Sequence, residues 1–291
     1  MSNISSKPTS LADWQLVKVS GDDNRVFLQG QITNDINRLS EHATLYAAHC
    51  DSKGRMWSTL LLFQRGNDIY YIERKSVAKR QVAELAKYAV FSKVSIELVQ
   101  DLNMVGLVDD AIPAEIKAKL IDKSCLTENN ITYIKLPLPE TRVIMITPES
   151  IPNDLNPCSD WLKLDFQAGY PVIDDINMAI LLPQACNLQS YDAISFDKGC
   201  YCGQEMVARA QFRGANTRGM YVIKGTSNVL PKVGSTLEYK LTGGWREGGL
   251  VLAATRLDDK DSICVQVVLN NGIDLNTVFR IYGNDNSRLM F

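Results

Sequence analysis

Histidine is scarce. The 291 residues hold two, His42 and His49. A Ser–His–Asp triad turns on a positioned imidazole, and a multi-His metal site needs several, so neither chemistry is expected. Long apolar runs are also missing: none approaches the roughly 18 residues that span a bilayer. The polar stretch Met1–Ser10 lacks an apolar signal core, and the expectation is a cytoplasmic protein with no membrane anchor. A disulfide framework is absent, because the seven cysteines are odd in number and irregularly spaced. Only Cys200 and Cys202 are close, and they do not form the paired Cys-x-x-Cys hooks of a zinc site; no metal ligand set is expected. A net charge of −2 gives no global attraction to nucleic acid, so any RNA contact has to use a local basic patch. There is no internal repeat and no low-complexity segment.

What is present is an ordinary globular composition, 45% hydrophobic and 22% charged, in a chain long enough for two or three domains. Trp14–Ser20 alternates apolar and polar residues and predicts a strand. Gly21-Asp22-Asp23 then starts a helix that carries Val26, Phe27 and Leu28 and ends near Gly30. Leu45–Cys50, Met56–Phe63 and Asp68–Glu73 predict three strands joined by turns at 51–54 and 65–68. Ser76 is a candidate cap for a helix burying Val82, Leu85, Ala86 and Ala89. Strands are expected at 93–99 and 104–108. The stretch 109–130 is weakly patterned, with room for one short helix at 114–121. A strand pair follows at 131–136 and 142–147, then a helix from Trp161 to Ala168 closed by Gly169. After about Arg218 the pattern changes to short β-rich runs at 220–224, 236–240, 249–255, 263–269 and 278–282, the spacing of a small β-barrel.

Chemistry concentrates in Ser195–Glu205. Met206, Val207 and Ala210 continue at helical spacing, which puts Gly203 near a helix N-terminus and Cys200 just before it. The helix dipole, Lys198 two residues away, and free amides at Gly203 and Gln204 all favour a thiolate at Cys200. Gly199 and Gly203 let the backbone turn tightly. The composition leaves a tight turn around a buried thiol open as the alternative. A nucleophilic cysteine usually needs a neighbouring base, and neither histidine is near in sequence. Trp14 and Trp161 stand out because a flat, polarisable ring stacks well on an indole, although core packing explains most tryptophans.

Lys198-Gly199-Cys200-Tyr201-x-Gly203-Gln204-Glu205, continued by Val207-Ala208-Arg209 and Phe212-Arg213-Gly214-Ala215-Asn216, resembles the signature of the YgfZ family of folate-binding, tRNA-modifying proteins. So do Ala168–Asp174, Leu182–Leu188, Gln29–Asp35, Ala47–Gly54, Ile72–Arg74 and Lys87–Val94, so the resemblance runs in order along nearly the whole chain. It implies the α+β, three-domain fold of the aminomethyltransferase (T protein) of glycine cleavage, with a ferredoxin-like element and a C-terminal barrel around a central channel. The expected domains are 1–40 with 131–217 (folate-binding, carrying the motif), 41–130 (a second α+β domain) and 218–291 (the barrel). The resemblance also implies tetrahydrofolate in the channel, with Trp14 and Trp161 at the ring and Gln167, Tyr201, Gly203, Gln204 and Glu205 as further binding residues. Cys200, with Lys198, becomes the candidate reactive thiol.

The family is linked to iron–sulfur protein assembly or repair, through it to tRNA modification by clients such as methylthiolating enzymes, and to regulation of replication initiation. Two positions depart from the pattern. Cys202 stands where relatives often carry Thr, and Gln167 stands where they often carry Glu; an amide there lacks the charge assistance of a carboxylate. A true aminomethyltransferase is the first alternative, but Ile72–Arg80 is basic where that enzyme needs an aspartate. A non-catalytic tRNA-binding module is the second, using Arg74, Lys75, Lys79, Arg80, Arg209, Arg213 and Arg218, although charge runs are usually just solvated surface.

Overall fold

The computed structural model describes residues 7–214 and 216–291; Met1–Ser6 of the polar N-terminus and Ala215 of the Phe212–Asn216 motif lie outside the described residues. In chain order the strands are β1 (Thr9–Ser10), β2 (Trp14–Ser20), β3 (Leu45–Cys50), β4 (Met56–Arg65), β5 (Asp68–Arg74), β6 (Ser95–Leu98), β7 (Asn103–Val108), β8 (Cys125–Glu128), β9 (Ile131–Leu136) and β10 (Arg142–Thr147). The barrel strands are β11 (Arg218–Thr226), β12 (Thr236–Leu241), β13 (Gly244–Arg256), β14 (Ser262–Asn270), β15 (Phe279–Ile281) and β16 (Arg288–Met290). The helices are α1 (Asn24–Gln29), α2 (Lys75–Ala86), α3 (Ala114–Lys119), α4 (Cys158–Ala168) and α5 (Gln204–Phe212).

These strands make two five-stranded sheets, ordered β3-β4-β5-β2-β6 and β1-β7-β10-β9-β8, and a closed barrel, β11-β14-β13-β12-β15-β16. The barrel closes because β11 pairs with β14 on one side and β16 on the other, which removes every sheet edge. The first sheet buries Val17, Leu60, Leu62 and Tyr71 under the helices, with Leu28 of α1 and Leu85 of α2 in the same core. Its other face meets the second sheet and α4 through Leu16, Phe63, Ile144, Ile146, Trp161 and Leu164.

The pairing corrects the domain boundaries expected from sequence. β2 lies between β5 and β6, so 14–20 belongs with 45–98 and not with the motif segment. β7 and β8 pair with β10 and β9, so the cut at 130 divides one sheet. Alternating runs mark strands but say nothing of which distant strand each will pair with. β8 falls inside the weakly patterned stretch 109–130, and Arg74, not Ser76, caps α2. Gly169 ends α4 in the left-handed conformation, φ 73°, as its sequence position predicts.

Candidate functional site

A cavity of about 400 Å³ opens between the two sheets, α4 and the 170–191 segment. Its size is that of a site for a drug-sized molecule. Thr59 and Leu61 of β4, Ile72 of β5 and Ile144 of β10 face into it from the cavity-facing sides of their strands. Tyr46, Tyr170 and Tyr191 form one aromatic wall, with ring centroids 5.1 to 6.5 Å apart. Gly169 permits that wall: a Cβ there would lie 2.2 Å from the Tyr191 hydroxyl.

Trp14 and Trp161 both line the cavity, but not equivalently. Trp161 is only 1% exposed. Its ring edge lies against β7 where Gly106 leaves room, since a Cβ would come within 2.3 Å of it. The Arg142 guanidinium sits 4.5 Å from its ring centroid. Trp14 is half-buried, and one of its faces carries the Arg74 guanidinium at 4.6 Å. Trp14 is therefore the indole with ring surface to offer, and Trp161 is a wall.

Asp165 and Arg142, the ion pair at the cavity, are residues that sequence reasoning missed, while Arg74 was expected only as a surface cation. Asp165 lines the cavity and accepts from Arg142 Nη2 at 2.6 Å through Oδ1. Its Oδ2 has no partner among the described residues. Burial pushes the Asp165 carboxyl up, opposed by the Arg142 charge and hydrogen bond. Arg142 is fully buried, also donates to the Leu138 carbonyl at 3.0 Å, and keeps Nη1 without a partner. Arg74, at the rim, is tied to Asp174 at 3.1 Å and Asp13 at 3.8 Å, and its Nη1 is likewise buried and unpartnered. Gln167 is exposed and does not line the cavity. It lies about 200° around the helix from Asp165, so the α4 residue that brings a carboxylate to the cavity is Asp165; Glu73 of β5 lines the same cavity. The spacing Trp161, Leu164, Asp165, Ala168, an i, i+3, i+4, i+7 stripe, was the available signal.

The motif stands elsewhere. None of Lys198, Cys200, Tyr201, Gly203, Gln204 and Glu205 lines the cavity. Cys200 is exposed in the loop before α5. Lys198 does not serve it: Nζ donates to the carbonyls of Gln29, Ile32 and Asn34 at 2.7 to 2.8 Å, which uses all three N–H groups. Burial pulls Lys198 down to about 8, and the charge of Asp35 opposes this. Tyr201 is buried, with the Lys198 ammonium 5.1 Å from its ring centroid. Gly203 starts α5 at φ +83°, and a Cβ there would meet the Asp51 carbonyl oxygen at 2.4 Å; the motif glycine is thus required by the close approach of the 51–54 turn. Glu205 is exposed and pairs with Arg209 at 2.6 Å. Cys202 Sγ lies 3.7 Å from the Tyr88 hydroxyl.

Helix α2 connects the two places. Arg74, immediately before it, lines the cavity, and Tyr88, just after it, touches the motif loop. A buried polar chain fixes α2 to the sheet: Tyr71 Oη donates to Gln81 Oε1 at 2.7 Å, and Gln81 Nε2 meets His49 Nδ1 at 3.0 Å. His49 Nε2 and both Glu73 oxygens have no partner. Burial pulls His49 down to about 3 and pushes Glu73 up to about 8; the Ser58 hydroxyl offsets little of the latter, as it donates to the Thr59 carbonyl at 3.1 Å. Neither group was expected at the site, and no group of three or more His, Cys, Asp or Glu residues suited to a metal ion occurs among the described residues. No helix of the described residues is long and apolar enough to cross a membrane.

The model of the YgfZ beta-barrel domain matches residues 216–285. The tRNA-modifying protein YgfZ of Escherichia coli O45:K1 is 42% identical over 293 residues, covering 96% of this chain and 90% of that protein. Its counterpart in Shigella boydii serotype 4 is 41% identical over the same shares. Among solved structures, the glycine cleavage system aminomethyltransferase T from Bartonella henselae has the same fold, with a TM-score of 0.72 at 11% identity over 97% of this chain and 83% of that one.

Proposed function

Since this chain belongs to the YgfZ family, we propose that it acts in tRNA modification as a folate-binding protein that serves iron–sulfur enzymes. The observation that carries the folate reading is the cavity itself: an open indole, Trp14, and a carboxylate with a free oxygen, Asp165, border the same space of about 400 Å³, beside Glu73, whose carboxyl burial pushes up to about 8. A pterin has a flat face for the indole and an edge of N–H donors for the carboxylate. Arg142 holds Asp165 in place from behind, and the unpartnered Nη1 of Arg74 is a donor for a ligand oxygen at the rim. These residues fit a reduced folate, which would supply a one-carbon unit or a bound-state signal.

The iron–sulfur reading rests on Cys200. An exposed thiol on a loop fixed by Lys198 and Gly203 can reach a partner protein, and sulfur is a suitable ligand for iron. The aminomethyltransferase reading finds no support in Ile72–Arg80, where Arg74 occupies the rim. The deciding experiment measures iron–sulfur enzyme activity and tRNA thiomethylation in cells whose only copy is wild type, Cys200→Ser or Asp165→Asn. Loss of both readouts in Cys200→Ser, with the variant folded, is expected. Full activity in Cys200→Ser removes the thiol from the function, and full activity in Asp165→Asn together with unaltered tetrahydrofolate affinity removes the cavity.

A further inference from the structure

The chain as a whole carries a charge of −2, yet the face that surrounds the motif loop is not neutral. α2 exposes Lys75, Lys79 and Arg80. Lys53 is exposed in the 51–54 turn, which packs on α5 through Gly54 against Gly203 and Met206. Arg213 is exposed at the end of α5. Of the carboxylates near this face, Glu84 pairs with Lys87, Asp51 with Arg55, Glu205 with Arg209 and Asp174 with Arg74, while Asp197, exposed just before the motif, forms no ion pair among the described residues. No ion pair is formed by Lys53, Lys75, Lys79, Arg80 or Arg213 among the described residues. Of the cations suggested by sequence, Arg74 and Arg209 therefore drop out, Arg218 belongs to barrel strand β11, Lys53 enters, and Lys75, Lys79, Arg80 and Arg213 form with it a positive rim around the motif loop that Asp197 offsets only in part.

Rings are interleaved with these charges. Arg80 lies 5.3 Å from the centroid of Trp57. Tyr88 is half exposed at the end of α2 with its hydroxyl on Cys202. Phe91 is fully exposed in the same loop, and Phe212 is exposed beside Arg213. Leaving such rings in water is costly, and a solvated charge run does not require them. A bare acidic protein would use the cations and leave the rings idle. Unpaired bases stack on exposed rings while their phosphates meet lysine and arginine.

We propose that the α2–α5 face binds single-stranded RNA directly, with the backbone along Lys75, Lys79, Arg80 and Lys53 and unpaired bases on Tyr88 and Phe91. The motif thiol then lies in the bound region, so the protein contacts the RNA whose modification it supports and not only the modifying enzyme. The inference goes beyond folate binding and fails independently of it.

The test is fluorescence anisotropy of the full-length protein with three labelled probes: an RNA hairpin with an unpaired loop, a blunt RNA duplex of equal length, and poly-glutamate. Four phosphate contacts on a single strand predict a log–log salt slope of about −2.8, so a fourfold rise in salt weakens hairpin binding on the order of 50-fold. The double variant Lys79→Ala/Arg80→Ala should weaken hairpin binding at least about tenfold and flatten the slope by about 1.4, while Lys79→Arg/Arg80→Lys keeps it. The far-ultraviolet circular dichroism spectrum should be the same in all three proteins, which shows that the variants fold. Absence of hairpin binding at low salt, equal binding of the duplex, tighter binding of poly-glutamate, or an unaffected double variant overturns the proposal.

Discussion

Replacing Glu73 with Gln should reshape the dependence of stability on pH. Glu73 is 2% exposed, and neither of its oxygens has a partner. Burial lifts its carboxyl from 4.5 to about 8. Below pH 4.5 the proton is bound in both states, and the contribution to stability is fully present. Between 4.5 and about 8 the folded chain keeps a proton that the unfolded chain has released, so stability falls with rising pH by 1.36 kcal/mol per pH unit, about 5 kcal/mol in all. His49 works in the opposite sense. Burial pulls it from 6.5 to about 3, so across that window the unfolded chain holds the extra proton and stability rises with pH at the same slope. The two offset each other between 4.5 and 6.5, and the Glu73 fall, about 2 kcal/mol, is left alone between 6.5 and 8. Urea denaturation at pH 4.5, 6.5 and 8 tests this. The stability difference between Glu73→Gln and wild type should move in favour of the variant by about 3–5 kcal/mol from pH 4.5 to 8. Asp165, also raised by burial, contributes equally to both proteins and drops out of the difference. A difference that stays constant with pH means Glu73 is ionised in the fold at neutral pH, and the argument from its orphaned oxygens fails.

Three further outcomes are expected. Saturating tetrahydrofolate should quench tryptophan emission; Trp14→Phe should lose most of that change and Trp161→Phe little, and an unchanged signal in wild type places no folate at the indoles. Gly203→Ala should lower stability by at least about 2 kcal/mol, because φ +83° and the Asp51 carbonyl at 2.4 Å both oppose a Cβ; a urea midpoint within error of wild type would show that the turn relaxes freely. Lys198→Met should cost about 3 kcal/mol by leaving three carbonyls without their donor, yet change the rate of Cys200 alkylation less than twofold. A tenfold slower alkylation would show that Lys198 acts on the thiol after all.

Where local chemistry decides the outcome, the sequence was readable. Trp14–Ser20, Leu45–Cys50 and Arg142–Thr147 alternate, and they are strands; Gly169 sits where a helix needs a left-handed residue, and it caps one. The barrel was visible in its evenly spaced runs, although β16, at Arg288–Met290, is too short to announce itself. What failed depends on long-range neighbours. No local pattern says that β2 inserts between β5 and β6, and so the boundaries at 40 and 130 miss the sheets. The same cause misplaced the motif. Lys198 looks like a charge beside a thiol until the fold supplies three carbonyls from 29–34, more than 160 residues away in the chain. Asp165 is a different case, because the stripe of Trp161, Leu164 and Ala168 already put it on the buried face of α4.

The separation of cavity and thiol constrains any mechanism. Arg74 lines the cavity immediately before α2, and Tyr88 touches Cys202 just after it, so about 18 Å of helix lies between them. A group bound on Trp14 cannot be handed to Cys200 within one pocket. What the two places share is α2 itself, gripped at its middle by Gln81 through Tyr71 and His49. A ligand that engages Arg74 competes with its ties to Asp13 and Asp174 at the first turn of the helix, while the last turn positions the loop of the thiol. If the cavity governs the thiol, the governing element is therefore the seating of α2. The Gln81→Leu variant separates the cases: it leaves both ends of the helix chemically intact, so a tetrahydrofolate effect on Cys200 alkylation that is present in wild type and lost in Gln81→Leu passes through α2, and one that survives must take another route.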